Sequence, residues 1–172
     1  MNPSSNFKTP NLERLAKEGI IFTDDHSSDT ECGQGEAGAY GEFMIETDWH
    51  LGRIMDWLDL NNLSENTMII FTSDNGPETT WEKRNVLYNH SSNANLREGK
   101  RSIDEGGHRV PFVIRWPNLI KSKSIHSGPV CQADLLATLA EMLNVNLLDN
   151  AGEDSQSLFK ILKGSMNLYL FQ

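Results

Sequence analysis

The sequence predicts a layered α/β fold built on a mostly parallel sheet. Its strongest helix pattern covers roughly residues 39–60, where apolar residues recur at three- and four-residue steps. A near-continuous apolar run follows at 67–72, which is typical of a strand covered on both faces, as in a parallel sheet. Another apolar strand at 110–116 and a leucine-rich helix at 132–143 continue the alternation of helices and buried strands.

A short helix and a strand are predicted first along the chain. Thr9 suits the N-cap, and Pro10 suits the first helical position because its fixed φ and missing amide proton cost nothing there. Gly19 suits the position just after the helix, where chains commonly turn left-handed. A strand is expected at 20–23, and the aperiodic polar stretch 24–38 is expected to be a loop.

The later elements are predicted with specific buried faces. In the long helix the expected apolar face consists of Tyr40, Phe43, Thr47, Leu51, Ile54 and Leu58. In the last helix it consists of Leu135, Leu136, Leu139 and Leu143. The polar connection from residue 77 to about residue 95 is unusually long, which favours a functional or disordered segment.

Composition excludes several classes of protein. The 172 residues are 38% hydrophobic, enough for one domain or for part of a larger one, and no apolar run is long enough for a membrane span. A net charge of -9 argues against nucleic-acid and anionic-membrane partners. Two cysteines, Cys32 and Cys131, cannot form a disulfide framework or a four-thiolate zinc site. The polar first residues do not resemble a signal peptide, and localisation is left open.

Positive charge is concentrated between Lys83 and Arg109. This stretch holds six basic and three acidic residues, a net +3, against -12 for the rest of the chain. A local basic island in an acidic protein suits a small anionic ligand. A chance cluster of solvated side chains is the alternative.

Two places in the sequence could carry chemistry. Asp74 and Asn75 directly follow the apolar run at 67–72, where ligands of open α/β sheets gather, and their oxygens suit calcium or magnesium. Asp-Asn-Gly is also a common turn sequence. Lys100 could bind an anionic oxygen as a point charge or be an ordinary exposed lysine. Arg109 could pair with Glu105, and the five histidines show no metal-ligand spacing.

Taken together, these motifs resemble the sulfatase family. The resemblance rests on the following segments: Thr-Pro-Asn-Leu-Glu-Arg-Leu-Ala at 9–16, Asp48 with Leu-Gly-Arg-Ile at 51–54, Ser-Asp-Asn-Gly at 73–76, Arg-Glu-Gly-Lys at 97–100, Glu-Gly-Gly-His-Arg-Val-Pro at 105–111, Ile-Arg-Trp-Pro at 114–117 and Asp-Leu-Leu-Ala-Thr-Leu at 134–139. Together they extend over most of residues 9–163.

The resemblance implies an alkaline-phosphatase-like α/β fold and hydrolysis of sulfate esters. It implies a divalent cation, usually Ca²⁺, with Asp74 and Asn75 among its ligands, and a sulfate contact from Lys100. The nucleophile of the family is a formylglycine made from a cysteine in a Cys-x-Pro-x-Arg motif. Counting from Phe22 and Thr23 places Cys32 at that position.

The sequence also departs from the family pattern. Two further carboxylate ligands would precede Thr9, and Asp24 and Asp25 do not occupy their place. Cys32 is followed by Gly-Gln-Gly-Glu, without the proline and the arginine, and the chain then passes almost at once to the helix at 39–60. We therefore expect a shortened, incomplete sulfatase catalytic domain at 1–164, and a tail at 165–172 that resembles a protease-tag remnant. An ordinary C-terminal strand is the alternative for this tail.

Three functions remain open at this level. The first is hydrolysis of a small anionic sulfate ester, and the second is a non-catalytic module that binds a cation, an anion or another protein. The third is hydrolysis of phosphate or phosphonate esters, which Asp-Asn in place of Asp-His at 74–75 disfavours. A shortened sheet would leave strand edges exposed, so the sequence predicts either a homo-oligomer or a chain that is only partly ordered.

Overall fold

The computed structural model describes residues 8–26 and 39–165. Cys32 and nearly all of the expected tail lie outside the described residues. The strands are β1 Ile20–His26, β2 Ile69–Thr72, β3 Arg109–Arg115, β4 Ser124–His126 and β5 Val130–Cys131. The helices are α1 Pro10–Glu18, α2 Ala39–Leu60, α3 Trp81–Tyr88, α4 Glu105–His108, α5 Asp134–Met142 and α6 Phe159–Leu162, with a 3₁₀ turn at Ser64–Asn66.

The five strands form one mixed sheet. Its order is β2-β3-β1-β4, and β5 also pairs with β1. β3 runs antiparallel to both β1 and β2, whereas β4 and β5 run parallel to β1. Four strands therefore share one direction and β3 opposes them. The expected α/β class is confirmed.

The environment expected for the run at 67–72 was wrong. This run forms β2, which pairs only with β3 among the described strands and is half-buried along its whole length. It is an antiparallel edge strand, because β3 separates it from the strands that share its direction. A short apolar run does not distinguish an edge strand from a central one.

Helices cover both faces of the sheet, as a layered sandwich requires. Alternate residues of β3 point to opposite faces, so Phe112 and Ile114 join one core cluster and Val113 joins another. The first cluster also contains Leu158 and Leu162 at α6. The second consists of Val113 with side chains of α1 and α2, namely Leu12, Leu15, Ala16, Leu51 and Met55.

The ends of α1 are fixed by neighbouring elements. Thr9 makes no side-chain cap; instead Asp48 of α2 accepts hydrogen bonds from the backbone N–H groups of Asn11 (3.2 Å) and Leu12 (2.7 Å). Gly19 is extended, at φ −128°, so its expected left-handed conformation was wrong. Glycine is required there for another reason: a Cβ would lie 2.3 Å from the carbonyl oxygen of Ile114 in β3.

The long helix α2 has the predicted bounds, and its buried face agrees only in part with the predicted apolar face. Leu51, Met55 and Leu58 are buried, whereas Phe43 and Ile54 are 51% and 55% exposed. Apolar residues occur around most of this helix, so their spacing alone does not select one face. The buried stripe includes Asp48, a polar residue that the apolar pattern could not assign to the interior.

The buried face of α5 was also predicted wrongly. Three of its four expected core leucines, Leu136, Leu139 and Leu143, are exposed. The buried face instead carries Asp134 and Thr138, which accept hydrogen bonds from the backbone N–H groups of Gln156 (2.8 Å) and Leu158 (2.9 Å). Polar contacts therefore connect α5 to the segment that leads into α6.

The polar connection after residue 77 contains a helix that the sequence analysis did not predict. α3 runs from Trp81 to Tyr88, and Asn89 ends it in the left-handed conformation at φ 51°. Four of its eight residues are polar, and three of the other four, Val86, Leu87 and Tyr88, are consecutive, so the apolar periodicity that reveals other helices is missing here.

In the part of the chain that the structure describes, no helix is both long and apolar enough to cross a bilayer.

Candidate functional site

Two loops meet at one edge of the sheet. β1 and β2 both end at this edge, and the antiparallel β3 begins there. We call residues 73–78, which follow β2, the β2 loop, and residues 97–108, which lead into β3, the β3 loop. The topology therefore brings Asp74 and Asn75 to the edge where the segment containing Lys100 ends.

The two loops are joined through their backbones. The N–H of Gly76 donates to the carbonyl oxygen of Gly107 (2.8 Å), and the N–H of Lys100 donates to that of Pro77 (2.9 Å). A Cβ on Gly76 would lie 1.7 Å from the carbonyl oxygen of Gly106, so only glycine fits at this position. The close approach fixes the position of Asp74 and Asn75 relative to the β3 loop.

Asp74 and Asn75 present oxygen atoms from adjacent positions of the β2 loop. The Ser73 hydroxyl (3.3 Å) and the Asn75 amide nitrogen (3.2 Å) both donate to Oδ1 of Asp74. Both side chains are half-buried, and the Asn75 Oδ1 atom is itself buried. A carboxylate and an amide oxygen fit a hard divalent cation, which takes about six to eight oxygens when it is Ca²⁺.

These two side chains alone would make an incomplete cation site. Within residues 8–26 and 39–165, no group of three or more histidine, cysteine, aspartate or glutamate side chains is placed to hold a metal ion. The oxygens of Asp74 and Asn75 thus fit a divalent cation in chemistry, and their role as its ligands stays a prediction.

Lys100 is buried, so its interpretation as an ordinary exposed lysine was wrong. Its side chain is 5% exposed. Glu98 (φ 60°) and Arg101 (φ 74°) lie on either side of Gly99 and Lys100 with left-handed backbones, a conformation that costs energy in non-glycine residues. Asn93 stabilises this backbone by donating to the carbonyl oxygens of Leu96 (3.0 Å) and Glu98 (2.9 Å).

An ion pair also connects the two loops. Arg101 Nη1 lies 2.5 Å from Glu78 Oε1. This contact, together with a hydrogen bond from the Thr79 backbone, lowers the pKa of Glu78 to about 2. Glu78 is therefore ionised at neutral pH, but the pair is at the surface and contributes little to stability.

Gln132 supports the β2 loop, a role that the sequence did not reveal. Its Nε2 donates to Thr72 Oγ1 (2.7 Å) and to the carbonyl oxygen of Ser73 (2.5 Å). A cleft of about 510 Å³ opens beside Gln132, between α5 and residues 150–155. The only sequence signal for Gln132 is its place at the predicted start of the last helix.

Arg109 connects the β3 loop to β1. Its Nη1 pairs with Glu105 Oε2 at 3.0 Å, which confirms the predicted pair. Its Nε and Nη2 donate to the Thr23 carbonyl oxygen at 3.1 and 2.7 Å. The basic island is therefore more than a solvated cluster: Arg109 bonds to the sheet, and both Lys100 and Arg84 are buried.

The sequence was compared with models of known protein families. The Sulfatase model matches residues 34–145, well over half of the chain. The chain belongs to the sulfatase family. The resemblance in the sequence is thereby confirmed.

Individual sulfatases support the same conclusion. The chain is 36% identical over 140 residues to the N-acetylgalactosamine-6-O-sulfatase of Bacteroides thetaiotaomicron, covering 77% of this chain and 27% of that protein. It is 32% identical over 138 residues to the human steryl-sulfatase, covering 80% and 24%. The chain thus spans about a quarter of the length of the curated relatives it matches.

A solved structure gives the same fold. A 6S-sulfatase of Bacteroides thetaiotaomicron, described with the metabolism of multiple glycosaminoglycans, superposes with a TM-score of 0.68 at 35% identity. The match covers 77% of this chain and 28% of that chain. The alkaline-phosphatase-like fold expected of a sulfatase is therefore confirmed for the matched region.

Proposed function

We propose that the protein hydrolyses sulfate esters, with Asp74 and Asn75 holding a divalent cation and Lys100 contacting the sulfate group. Family membership supports the reaction class. The observation that supports these residues is the backbone junction, in which Gly76 bonds to Gly107 and Lys100 bonds to Pro77. It supports the proposal because it joins the loop that carries Asp74 and Asn75 to the loop that carries Lys100.

Each side chain has a definite chemical role in this proposal. Asp74 and Asn75 would hold the cation, for which we propose Ca²⁺; when bound, it would neutralise charge on the sulfate. The Lys100 ammonium would donate hydrogen bonds to a sulfate oxygen. Its burial reduces competition from water, so its charge acts more strongly on the negative charge that shifts toward the leaving oxygen.

We propose Cys32 as the position of the formylglycine-type nucleophile. The absence of proline and arginine from the residues after Cys32 favours one second candidate, a non-catalytic module of the sulfatase family that binds a cation or an anion. In that candidate, Asp74 and Lys100 keep their binding roles and no ester is cleaved. Turnover therefore distinguishes the two functions.

The test compares 4-nitrophenyl sulfate turnover and calcium binding in the full chain. Asp74→Ala should abolish calorimetric calcium binding, and Lys100→Ala should lower kcat/KM by about 10²-fold, the cost of losing one donor to developing charge. The exposed residues Asp149 and Lys83 provide matched controls, and their alanine variants should behave like wild type.

The outcomes separate the two candidates. Calcium binding without turnover in wild type would favour the non-catalytic module. If the alanine variants of Asp74 and Lys100 behave like the control variants, neither residue has the proposed role. The controls are the alanine variants of Asp149 and Lys83.

We also propose that the substrate is a small anionic sulfate ester and that the chain self-associates through a sheet edge. β2 is an outer strand of the described sheet, so one of its edges can pair with a second copy. Sedimentation should then show a dimer. A monomer across the micromolar range would contradict this proposal.

A further inference from the structure

A buried arginine lies outside the site described above. Arg84 of α3 is only 8% exposed. Among the described residues no carboxylate pairs with it, and Glu78, which acts on it electrostatically, is already paired with Arg101. Buried charges in proteins are ordinarily compensated by an opposite charge. A buried arginine with no carboxylate partner among the described residues therefore calls for an explanation.

The neighbours of Arg84 position its guanidinium without neutralising it. Nε donates to Ser92 Oγ (3.0 Å), and Nη1 donates to Thr80 Oγ1 (2.8 Å). The guanidinium carbon lies 4.4 Å from the centre of the Tyr40 ring, a cation–π contact. Nη2 is buried and has no hydrogen-bond partner in the described structure.

The remaining donors match an oxyanion. A guanidinium carries five N–H groups in a planar fork, and at Arg84 those of Nη2 are not used. Such a fork recognises carboxylate and sulfate-like oxygens through paired, charge-assisted hydrogen bonds. His90 lies beside Tyr40, and its pKa is lowered by burial and by the charge of Arg84, so it adds no second cation at neutral pH.

This arginine is connected to the candidate site. α3 begins four residues after Pro77 of the β2 loop. The Trp81 indole, one helical turn before Arg84, packs against Gly99, where a Cβ would lie 3.0 Å from Trp81 Nε1. Gly99 directly precedes Lys100. Tyr40 and Ser92 are half-buried, so the guanidinium lies one side chain below the surface.

We propose that Arg84, with Thr80, Ser92 and Tyr40 around it, forms a second oxyanion site, distinct from the Lys100 contact. Its ligand is a sulfate or carboxylate group on a substrate that carries a second negative charge. A small movement of Tyr40 or Ser92 admits the group to Nη2. The link to substrate depends on the proposed sulfatase activity, whereas anion binding at Arg84 does not.

Inorganic sulfate is the first probe, measured by calorimetry on the full chain. Arg84→Gln should weaken one class of sulfate binding by about tenfold or more, the loss expected for charge-assisted hydrogen bonds. Arg53→Gln is the matched control, because Arg53 also stacks on an aromatic ring, that of Trp49, but is exposed. Lys100→Ala should keep the binding that Arg84→Gln removes.

The outcomes distinguish this inference from the proposed function. If Arg84→Gln binds sulfate as Arg53→Gln does, the Arg84 site is overturned, whatever Lys100→Ala shows. If only Lys100→Ala weakens binding, the Lys100 contact stands and the Arg84 site fails. If Arg84→Gln weakens sulfate binding and Lys100→Ala leaves it unchanged, the Arg84 site stands and the Lys100 contact fails.

A purely structural role for Arg84 is tested with Arg84→Lys. Lysine keeps the charge but loses the fork, so sulfate should still raise the melting temperature of this variant, by less than in wild type. In Arg84→Gln, sulfate should raise the melting temperature only by the amount that binding at the Lys100 contact produces. Equal sulfate-induced shifts in wild type and Arg84→Gln would show that Arg84 only holds α3 to α2.

The source of the anion is tested with a pair of ligands. One is a disaccharide 6-sulfate that contains a uronic acid, and the other is the same compound with its carboxyl group reduced to an alcohol. Wild type and Arg53→Gln should prefer the charged compound by about tenfold, and Arg84→Gln should not distinguish them. Sulfate binding at Arg84 without this preference would identify a free-anion site and overturn the substrate role.

Discussion

At the scale of single residues, the candidate site depends on one position where no side chain fits. Gly76 donates its N–H to Gly107 while its α-carbon lies against the carbonyl of Gly106. The sequence predicted a tight turn at Gly76, because Asp-Asn-Gly favours one. It could not predict the reason found here, since the opposing carbonyl comes from a segment thirty residues further along the chain.

Gly76→Ala should therefore lower the free energy of unfolding by about 1–3 kcal/mol, the usual cost of forcing extra volume into a packed contact. It should also weaken calcium binding, because Asp74 and Asn75 move with the β2 loop. Gly164→Ala is the control: its φ is +67° but no atom lies within 4 Å of the added Cβ. Urea unfolding measures both variants, and equal losses would contradict a clash at Gly76.

At the scale of elements, the extents of helices and strands were more predictable than their faces. The bounds of α2 agree with the apolar spacing, and β3 lies within a residue of the predicted strand. The exposed face of α2 and the buried Asp134 of α5 were not predictable, because tertiary hydrogen bonds decide them. β5 has only two residues, too few for any periodic signal.

The contact between α1 and α2 gives a test at this scale. Asp48 is 3% exposed and accepts three hydrogen bonds from Asn11 and Leu12. Asp48→Ala would leave N–H groups at the start of α1 unsatisfied, so we expect a loss of about 2–3 kcal/mol in the free energy of unfolding.

Asp56→Ala is the matched control on the same helix. Asp56 is exposed and pairs with Arg14 at 2.6 Å, a surface ion pair worth less than about 1 kcal/mol. The two variants are compared by urea denaturation. If Asp48→Ala costs no more than Asp56→Ala, the hydrogen bonds of Asp48 do not stabilise α1.

At the scale of the whole molecule, the distribution of charge was partly predictable from the sequence. The basic island is visible in the sequence and lies beside the β2 loop, and anion binding there stays a prediction. The burial of Lys100 and Arg84 was not predictable, because it depends on packing between segments that are distant in sequence. The support of the β2 loop by Gln132 is missing from the sequence pattern for the same reason.

Two histidines should make the molecule sensitive to mild acid. Burial lowers the pKa of His126 below its ordinary value of 6.5, and burial together with Arg84 lowers that of His90. Below pH 6.5 the unfolded chain therefore binds more protons at these positions than the folded chain does. Stability contributed by the neutral imidazoles is complete above pH 6.5 and is lost as the pH falls through that value toward the folded pKa.

Urea midpoints at pH 7.5 and pH 5.5 measure this effect. His126→Gln should reduce the loss of stability between the two pH values, because glutamine does not titrate. His50→Gln changes an exposed histidine and should leave the loss unchanged. An identical pH dependence in wild type and His126→Gln would show that His126 does not contribute.

The hydrogen-bond register of β3 determines where the β3 loop lies at the candidate site. β3 is hydrogen-bonded on both sides, with Phe112 opposite Phe22 in β1 and opposite Thr72 in β2. Sliding β3 by one residue would displace the β3 loop by about 3.4 Å, break both ladders and turn Phe112 and Ile114 to the wrong face. Uncharged side chains in the core thus set the position of the β3 loop, which carries Lys100, relative to the β2 loop, which carries Asp74.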